Sequence, residues 1–257
     1  MNRINKLFRK KNKNILSIYF TAGFPGLDDT VPILQALQDN GIELVEIGIP
    51  FSDPMADGVV IQQSSHAALK NGMSIRRLFS QLTDVRRKIE IPLVMMGYLN
   101  PIMQFGFEEF CRECKRVDVD GMIIPDLPMS DYLTDYKPIA EKYGLEFIFL
   151  ITPETSDERI QEIDENTNGF IYMVSSAAVT GTQNSFINQI DYFKRINAMN
   201  LKNPRLIGFG VSNKVTKEMV FEYSSGAIVG SAFIKVLNET TDIENAVKFV
   251  LQKLSAP

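Results

Sequence analysis

Short apolar runs recur along the chain with amphipathic stretches between them, and this alternation predicts most of the architecture. The runs are Ile15–Phe20, Leu44–Ile49, Leu93–Gly97, Gly121–Pro125, Glu146–Ile151, Phe170–Ser175, Leu206–Gly210 and Gly226–Gly230. The second is the clearest: an apolar, β-rich segment closed by Gly41 and Pro50, the punctuation of a buried strand. Helical spacing marks 28–40, 74–89, 107–117, 131–143, 157–166, 185–199, 213–223 and 242–254. Several of these open on Asp, Ser or Asn, whose side chains fill the free N–H groups of a first helical turn.

Eight strand and helix units in 257 residues, with no linker or shift of composition, predict an α/β fold: one (β/α)8 TIM barrel spanning 1–257. A doubly wound open sheet is the competing arrangement. Extra helices are expected near the second and eighth strands, the latter over Phe233–Leu237. Arg3 to Lys13 carries six cations and no acid, but it lacks the apolar core and cleavage site of a signal peptide. Ile4, Leu7 and Phe8 fall at helical spacing, so this segment is expected to be a short amphipathic helix packed under the barrel.

A formal net charge of −4 argues against nucleic acid as the main partner, and no apolar stretch approaches the roughly 18 residues of a membrane span. A cytoplasmic or equivalent internal compartment is expected. Cys111 and Cys114 lie within a helical pattern, and a single histidine, His66, offers little to complete a zinc site.

Glu46 interrupts the greasy run 42–49. Alternation places it with Leu44 and Gly48 on one face, so a carboxylate is expected inside the sheet, where it is costly unless paired or protonated. Asp57 follows in a loop of turn formers after that strand, where the working residues of α/β proteins gather, although turn capping alone also accounts for it. At the far end of the series, Gly208-Phe209-Gly210 and Gly230-Ser231 end the seventh and eighth strands. Glycines there let backbone N–H groups approach a ligand, and a following short helix adds its positive end, which together make a phosphate cradle.

These stretches resemble the tryptophan synthase α-subunit family. The likeness rests on Glu46 to Gly58, Val179-Thr180-Gly181, Gly208 to Ser212 and Gly230-Ser231-Ala232, with weaker matches at 21–23, 97–101 and 126–128. It implies retro-aldol cleavage of indole-3-glycerol phosphate into indole and glyceraldehyde 3-phosphate, with no metal or organic cofactor in this subunit. By the same resemblance Glu46 is the catalytic acid/base and Asp57 the second catalytic carboxylate. Tyr172 lies beside the substrate, Thr180 orders the catalytic Asp from a loop, and Gly181, Gly210, Gly230 and Ser231 bind phosphate. A pyridoxal-phosphate β subunit is the implied partner, in an α2β2 assembly, facing 52–58 and 100–106; Ile102, Met103 and Phe105 are candidates for exposure there. Phe24 and Ala178 depart from the family's usual Asp and Gly. A non-catalytic barrel that binds a phosphorylated ligand and a sugar-phosphate isomerase are the alternatives, and two carboxylates at one strand end favour the lyase over the first.

Overall fold

In the computed structural model the chain is described over residues 1–175, 183–208, 210–240 and 242–255, the side chains of 183–188 excepted. Its strands are β1 (Ile15–Thr21), β2 (Leu44–Gly48), β3 (Leu93–Met96), β4 (Gly121–Ile123), β5 (Glu146–Phe147), β6 (Leu150–Ile151), β7 (Ile171–Val174), β8 (Arg205–Gly208) and β9 (Gly226–Val229). All pairings are parallel, in the order β5-β4-β3-β2-β1-β9-β8-β7-β6.

The two ends of that order are halves of one predicted run, Glu146–Ile151. Ile148 N–H donates to Met122 O at 3.0 Å on one side, and Phe149 O accepts from Tyr172 N–H at 2.9 Å on the other. A single stave thus bonds both neighbours and closes the sheet into a (β/α)8 barrel, which excludes the open doubly wound alternative. The interruption of the stave lies at the seam, where its backbone turns from one neighbour to the other.

Closure sorts the side chains into two cores. Leu44, Val94, Ile123, Ile148, Phe170 and Leu206 meet inside the barrel, while the alternate positions pack under the helices. Both faces of each stave are dry, which is why the sequence shows runs rather than polar alternation. Phe24 joins the outer core.

The helix Arg3–Lys10 closes the lower end as expected: Ile4 is fully buried in the inner core, with Leu7 and Phe8 against it. Asn2 caps this helix by accepting from Ile4 N–H at 2.9 Å and donates to Asp120 O at 2.6 Å. Asp120, itself buried, receives Arg3 at 3.1 Å, Arg86 at 2.6 Å and the Leu93 N–H at 2.9 Å. Asp120→Ala strands a half-buried guanidinium and a buried N–H, so a loss of about 3 kcal/mol in urea unfolding is expected, with turnover at the opposite end unchanged.

Helices Val59–Lys70 and Ser231–Glu239 supply the additions near the second and eighth strands. One helical expectation is corrected and one helix is added. The stretch 74–89 is helical only over Ile75–Gln81, followed by a 3-10 turn at Val85–Arg87. Thr83 Oγ1 bonds back to Phe79 O at 3.3 Å, a side-chain competition that weakens the helix there. A further helix, Leu99–Phe105, was not expected. Of the apolar residues proposed for exposure on it, Ile102 is buried and Phe105 packs against Phe79 and Phe110, leaving Met103 exposed. No helix among the described residues is long and apolar enough to cross a membrane.

Candidate active site

The strand register decides where Glu46 points. It pairs with Tyr19 of β1 and Val94 of β3, and its side chain is fully buried inside the barrel. Ser17 Oγ, also buried and deeper on β1, donates to Glu46 Oε1 at 3.0 Å. Oε2 has no hydrogen-bond partner among the described residues. Burial pushes this carboxyl up to about 8, with the Ser17 hydrogen bond pulling the other way. Glu46 therefore holds a proton at neutral pH and can release it within reach of neutrality.

Two tyrosines stand over this interior, each seated against a glycine on the neighbouring stave. A Cβ on Gly48 would meet Tyr19 Oη at 2.2 Å, and one on Gly208 would meet Tyr172 Oη at 2.1 Å, so only glycine leaves room for either ring. Burial, with the negative charges of Glu46 and Asp57, holds both phenols far above their usual range and hence neutral.

Asp57 sits in the loop between β2 and the helix Val59–Lys70. Tyr98, at the end of β3, pins this loop: its hydroxyl accepts from Ala56 N–H at 3.0 Å and hydrogen-bonds the Asp57 carboxylate, while its ring packs on Phe51 at 5.4 Å. From the other side Gln62 Nε2 donates to Asp57 O at 2.8 Å. The loop of turn formers does not leave Asp57 in open solvent: burial raises its carboxyl to about 6, against the Tyr98 bond. It is still mostly ionised at neutral pH. Tyr98→Phe removes the bond that favours the ionised form, so the Asp57 titration is expected to move up by about one pH unit, read by NMR of the carboxyl or by the acid limb of activity.

A cavity of about 760 Å³ opens at the C-terminal strand ends, lined by Tyr19, Asp57, Tyr172, Gly210, Gly230 and Ser231 among others. Two helices start at its wall, and they are not equivalent. The helix Lys214–Tyr223 is filled by its own capping box: Asn213 accepts from Thr216 N–H at 2.9 Å, and Thr216 Oγ1 takes the N–H groups of Ser212 and Asn213. The helix Ser231–Glu239 has Gly230 as its cap, with no side chain to occupy the first turn. An anion in the cavity thus finds open N–H groups and a hydroxyl at Ser231, beside the left-handed Gly210 (φ +79°).

Six of the eight sequence-predicted residues can be placed. Asp57, Tyr172, Gly210, Gly230 and Ser231 share the cavity wall, and Glu46 lies within the barrel, its charge felt by Tyr19 and Tyr172 but its surface closed off from the cavity. Thr180 and Gly181 lie outside the described residues. Sequence reasoning missed Ser17, Tyr19 and Tyr98. Alternation puts Ser17 and Tyr19 on one face of β1, but only the pairing with β2 brings that face to Glu46.

Residues 6–255 match the family model described as Tryptophan synthase alpha chain. The tryptophan synthase alpha chain of Parabacteroides distasonis is 59% identical over 255 residues, 99% of both chains. Among solved structures, tryptophan synthase subunit alpha from Legionella pneumophila superposes with a TM-score of 0.88 at 33% identity, over 99% of this chain and 97% of that one. A chain of the tryptophan synthase complex from Pyrococcus furiosus gives a TM-score of 0.85 at 35% identity, over 96% of this chain and 100% of that one. A match that runs nearly end to end, on a barrel with one carboxyl inside and another at its mouth beside an open helix N-terminus, leads to one statement: the chain belongs to the tryptophan synthase alpha chain family.

Proposed function

We propose that the protein is a carbon–carbon lyase that cleaves indole-3-glycerol phosphate by a retro-aldol step into indole and glyceraldehyde 3-phosphate, as the α subunit of a tryptophan-forming enzyme. The observation that carries this reading is the pairing of a buried, proton-holding Glu46 with an ionised Asp57 at the mouth that also holds the open Gly230-Ser231 helix start. Binding a phosphate needs neither carboxyl, whereas the cleavage needs both.

The phosphate docks on the Ser231 helix start and Gly210, which aligns the glycerol chain and indole toward Glu46. Glu46 delivers its proton to indole C3, and positive charge spreads to the ring nitrogen. Asp57 accepts the indole N–H hydrogen bond, which strengthens as that charge grows. The Glu46 carboxylate then takes the proton of the side-chain hydroxyl attached next to the ring. As that C–O becomes a carbonyl, the bond to C3 breaks and its electron pair restores the aromatic ring. Protons balance across the cycle, since one is given to C3 and one is recovered from the hydroxyl, and these steps call on no metal or organic cofactor of this subunit. Tyr172, neutral and seated on Gly208, flanks the ring; Thr180 and Gly181 keep the roles the family resemblance assigns them.

The partner in this reading is a β subunit that carries pyridoxal phosphate and consumes indole. Met55 and Met103, exposed apolar residues of the two stretches expected to face it, support that surface, as does a solved relative described as a complex. The free, buried thiols Cys111 and Cys114 fit a reducing cytoplasm.

The deciding experiment is incubation with indole-3-glycerol phosphate, following indole by its absorbance, with and without a β subunit. Indole release supports the lyase. Ligand binding without indole would leave the non-catalytic phosphate-binding barrel, and interconversion of a sugar phosphate would leave the isomerase.

A further inference from the structure

Among the described residues the interior carboxyl is held at one point. Glu46 is fully buried, and the hydrogen bond given to it among the described residues comes from Ser17 Oγ, 3.0 Å from Oε1. Oε2 is buried with no hydrogen-bond partner there. Ser17 is likewise fully buried and stands one inward-facing position below Tyr19, the residue that pairs with Glu46 in the register. A hydroxyl at that depth therefore draws Oε1 toward the barrel interior. Residues of the surrounding staves, Leu44, Val94, Ile123, Ile148, Leu206 and Ile228, are hydrocarbon and offer no substitute donor.

We propose that Ser17 is a positioning residue for the lyase reaction: by tethering Oε1 of Glu46 it orients the carboxyl and assigns proton exchange to the untethered Oε2. The proposal rests on the reading of Glu46 as the proton-transfer group and deepens it by naming which oxygen carries the proton. A proton on Oε2 keeps the Ser17 bond as it stands, whereas a proton on Oε1 would reverse it and leave the Ser17 hydroxyl hydrogen with no acceptor among the described residues. The acid hydrogen thus resides on Oε2. Ser17 lies two residues deeper in the barrel than the level of Glu46 and is fully buried, so it acts through the carboxyl and not on the substrate.

The hydroxyl also favours the ionised carboxyl, opposing the burial that raises Glu46 to about 8. The titratable groups that feel the Glu46 charge are Tyr19 on β1 and Tyr172 on β7, and Asp57 acts on both. Both phenols are held well above the range in which Glu46 titrates, so they stay neutral across it, and Asp57 titrates below it, near 6.

The test compares Ser17→Ala and Ser17→Thr with the parent and with Glu46→Gln, using indole-3-glycerol phosphate over a range of pH. Ser17→Ala is expected to move the alkaline limb of kcat/KM up by about one to two pH units, the worth of a hydrogen bond to a charged acceptor on the pH scale. At neutral pH kcat should fall about tenfold with KM within about twofold, because the orientation of the proton is lost and the ligand contacts are not. Ser17→Thr restores the hydroxyl and should return the limb toward the parent. The protonated-carboxyl stretch of Glu46, followed by infrared difference spectroscopy, should persist to higher pH in Ser17→Ala whatever the turnover, which covers loss of activity in any variant. An unshifted limb and an unshifted carboxyl titration in Ser17→Ala, with Glu46→Gln inactive, overturn the role of Ser17 alone. Parent-like indole release by Glu46→Gln overturns the reading of the site and the tether together.

Discussion

Glu46→Gln is expected to lose indole release by about 10³-fold or more in kcat and yet to unfold later than the parent in urea at pH 9. The first half follows from chemistry: glutamine can neither give a proton to C3 nor take one from the hydroxyl, and positioned acid–base groups contribute roughly 10²–10⁴-fold each time they act. The second half follows from linkage. In the fold the Glu46 carboxyl keeps its proton up to about pH 8, whereas an ordinary glutamate releases it near 4.5. Between those values the native state binds more protons than the unfolded chain, so stability falls as pH rises. Its contribution is fully present below about 4.5 and gone above about 8. On the scale of about 1.4 kcal/mol per pH unit the loss is on the order of 5 kcal/mol.

Glutamine abolishes that loss but brings an amide whose N–H groups find no acceptor, at about 1–3 kcal/mol. The variant should therefore be more stable than the parent by about 3 kcal/mol at pH 9 and less stable by about 2 kcal/mol at pH 4, so the two curves of stability against pH cross. Parallel curves would show that the carboxyl does not titrate inside the barrel as described. A gain of stability on losing a working group is the expected cost of placing an acid where the fold would prefer hydrocarbon.

Asp57→Asn is the second large effect, and it should change the shape of the pH profile as well as its height. The parent profile rises as Asp57 ionises near pH 6 and falls as Glu46 ionises near pH 8, leaving a narrow optimum about neutrality. Asparagine can still accept the indole N–H but carries no charge to oppose the cationic ring, and removal of such electrostatic help costs about 10²–10³-fold in kcat. The acid limb should disappear while the alkaline limb stays. Retention of the limb near pH 6 would assign it to another group and remove Asp57 from the mechanism. The Tyr98→Phe variant moves the same limb without abolishing it, so the two profiles together separate tuning of Asp57 from its role.

Much of this site was visible in the residues before any fold was built. Glu46 is a charged residue in an apolar run, and a run of that kind leaves it no exposed face, so its burial is a consequence of composition. The open helix start at Ser231 was legible because glycine at a strand end followed by a short apolar helix has few other uses. Other features left little trace. An extra helix was expected near the second strand, but not its bounds: Val59–Lys70 buries Ile61, Ser64, Ser65 and Ala68, a stripe of mostly small and hydroxyl side chains that apolar periodicity does not register. The helix Leu99–Phe105 is seven residues with Pro101 in its first turn, too short for its period to show. Asp57 reads as a residue of a turn-rich loop, since nothing nearby in sequence reveals that Tyr98, just past the end of another strand, covers it.

The sequence by itself determined the staves, the alternation that turns Glu46 inward, and the glycines that mark the anion end, because each is a property of neighbours along the chain. The tertiary structure alone decided that Ser17 meets Glu46, that Tyr98 meets Asp57, and that the tyrosines rest on Gly48 and Gly208. The contacts of Ser17, Glu46 and the two tyrosines depend on register between strands, and a slip of one residue would send each of those side chains to the opposite face, whereas Tyr98 meets Asp57 because the segments after β2 and β3 come together. Register is fixed only when the whole sheet closes and both cores fill at once, a condition that no local stretch of sequence contains.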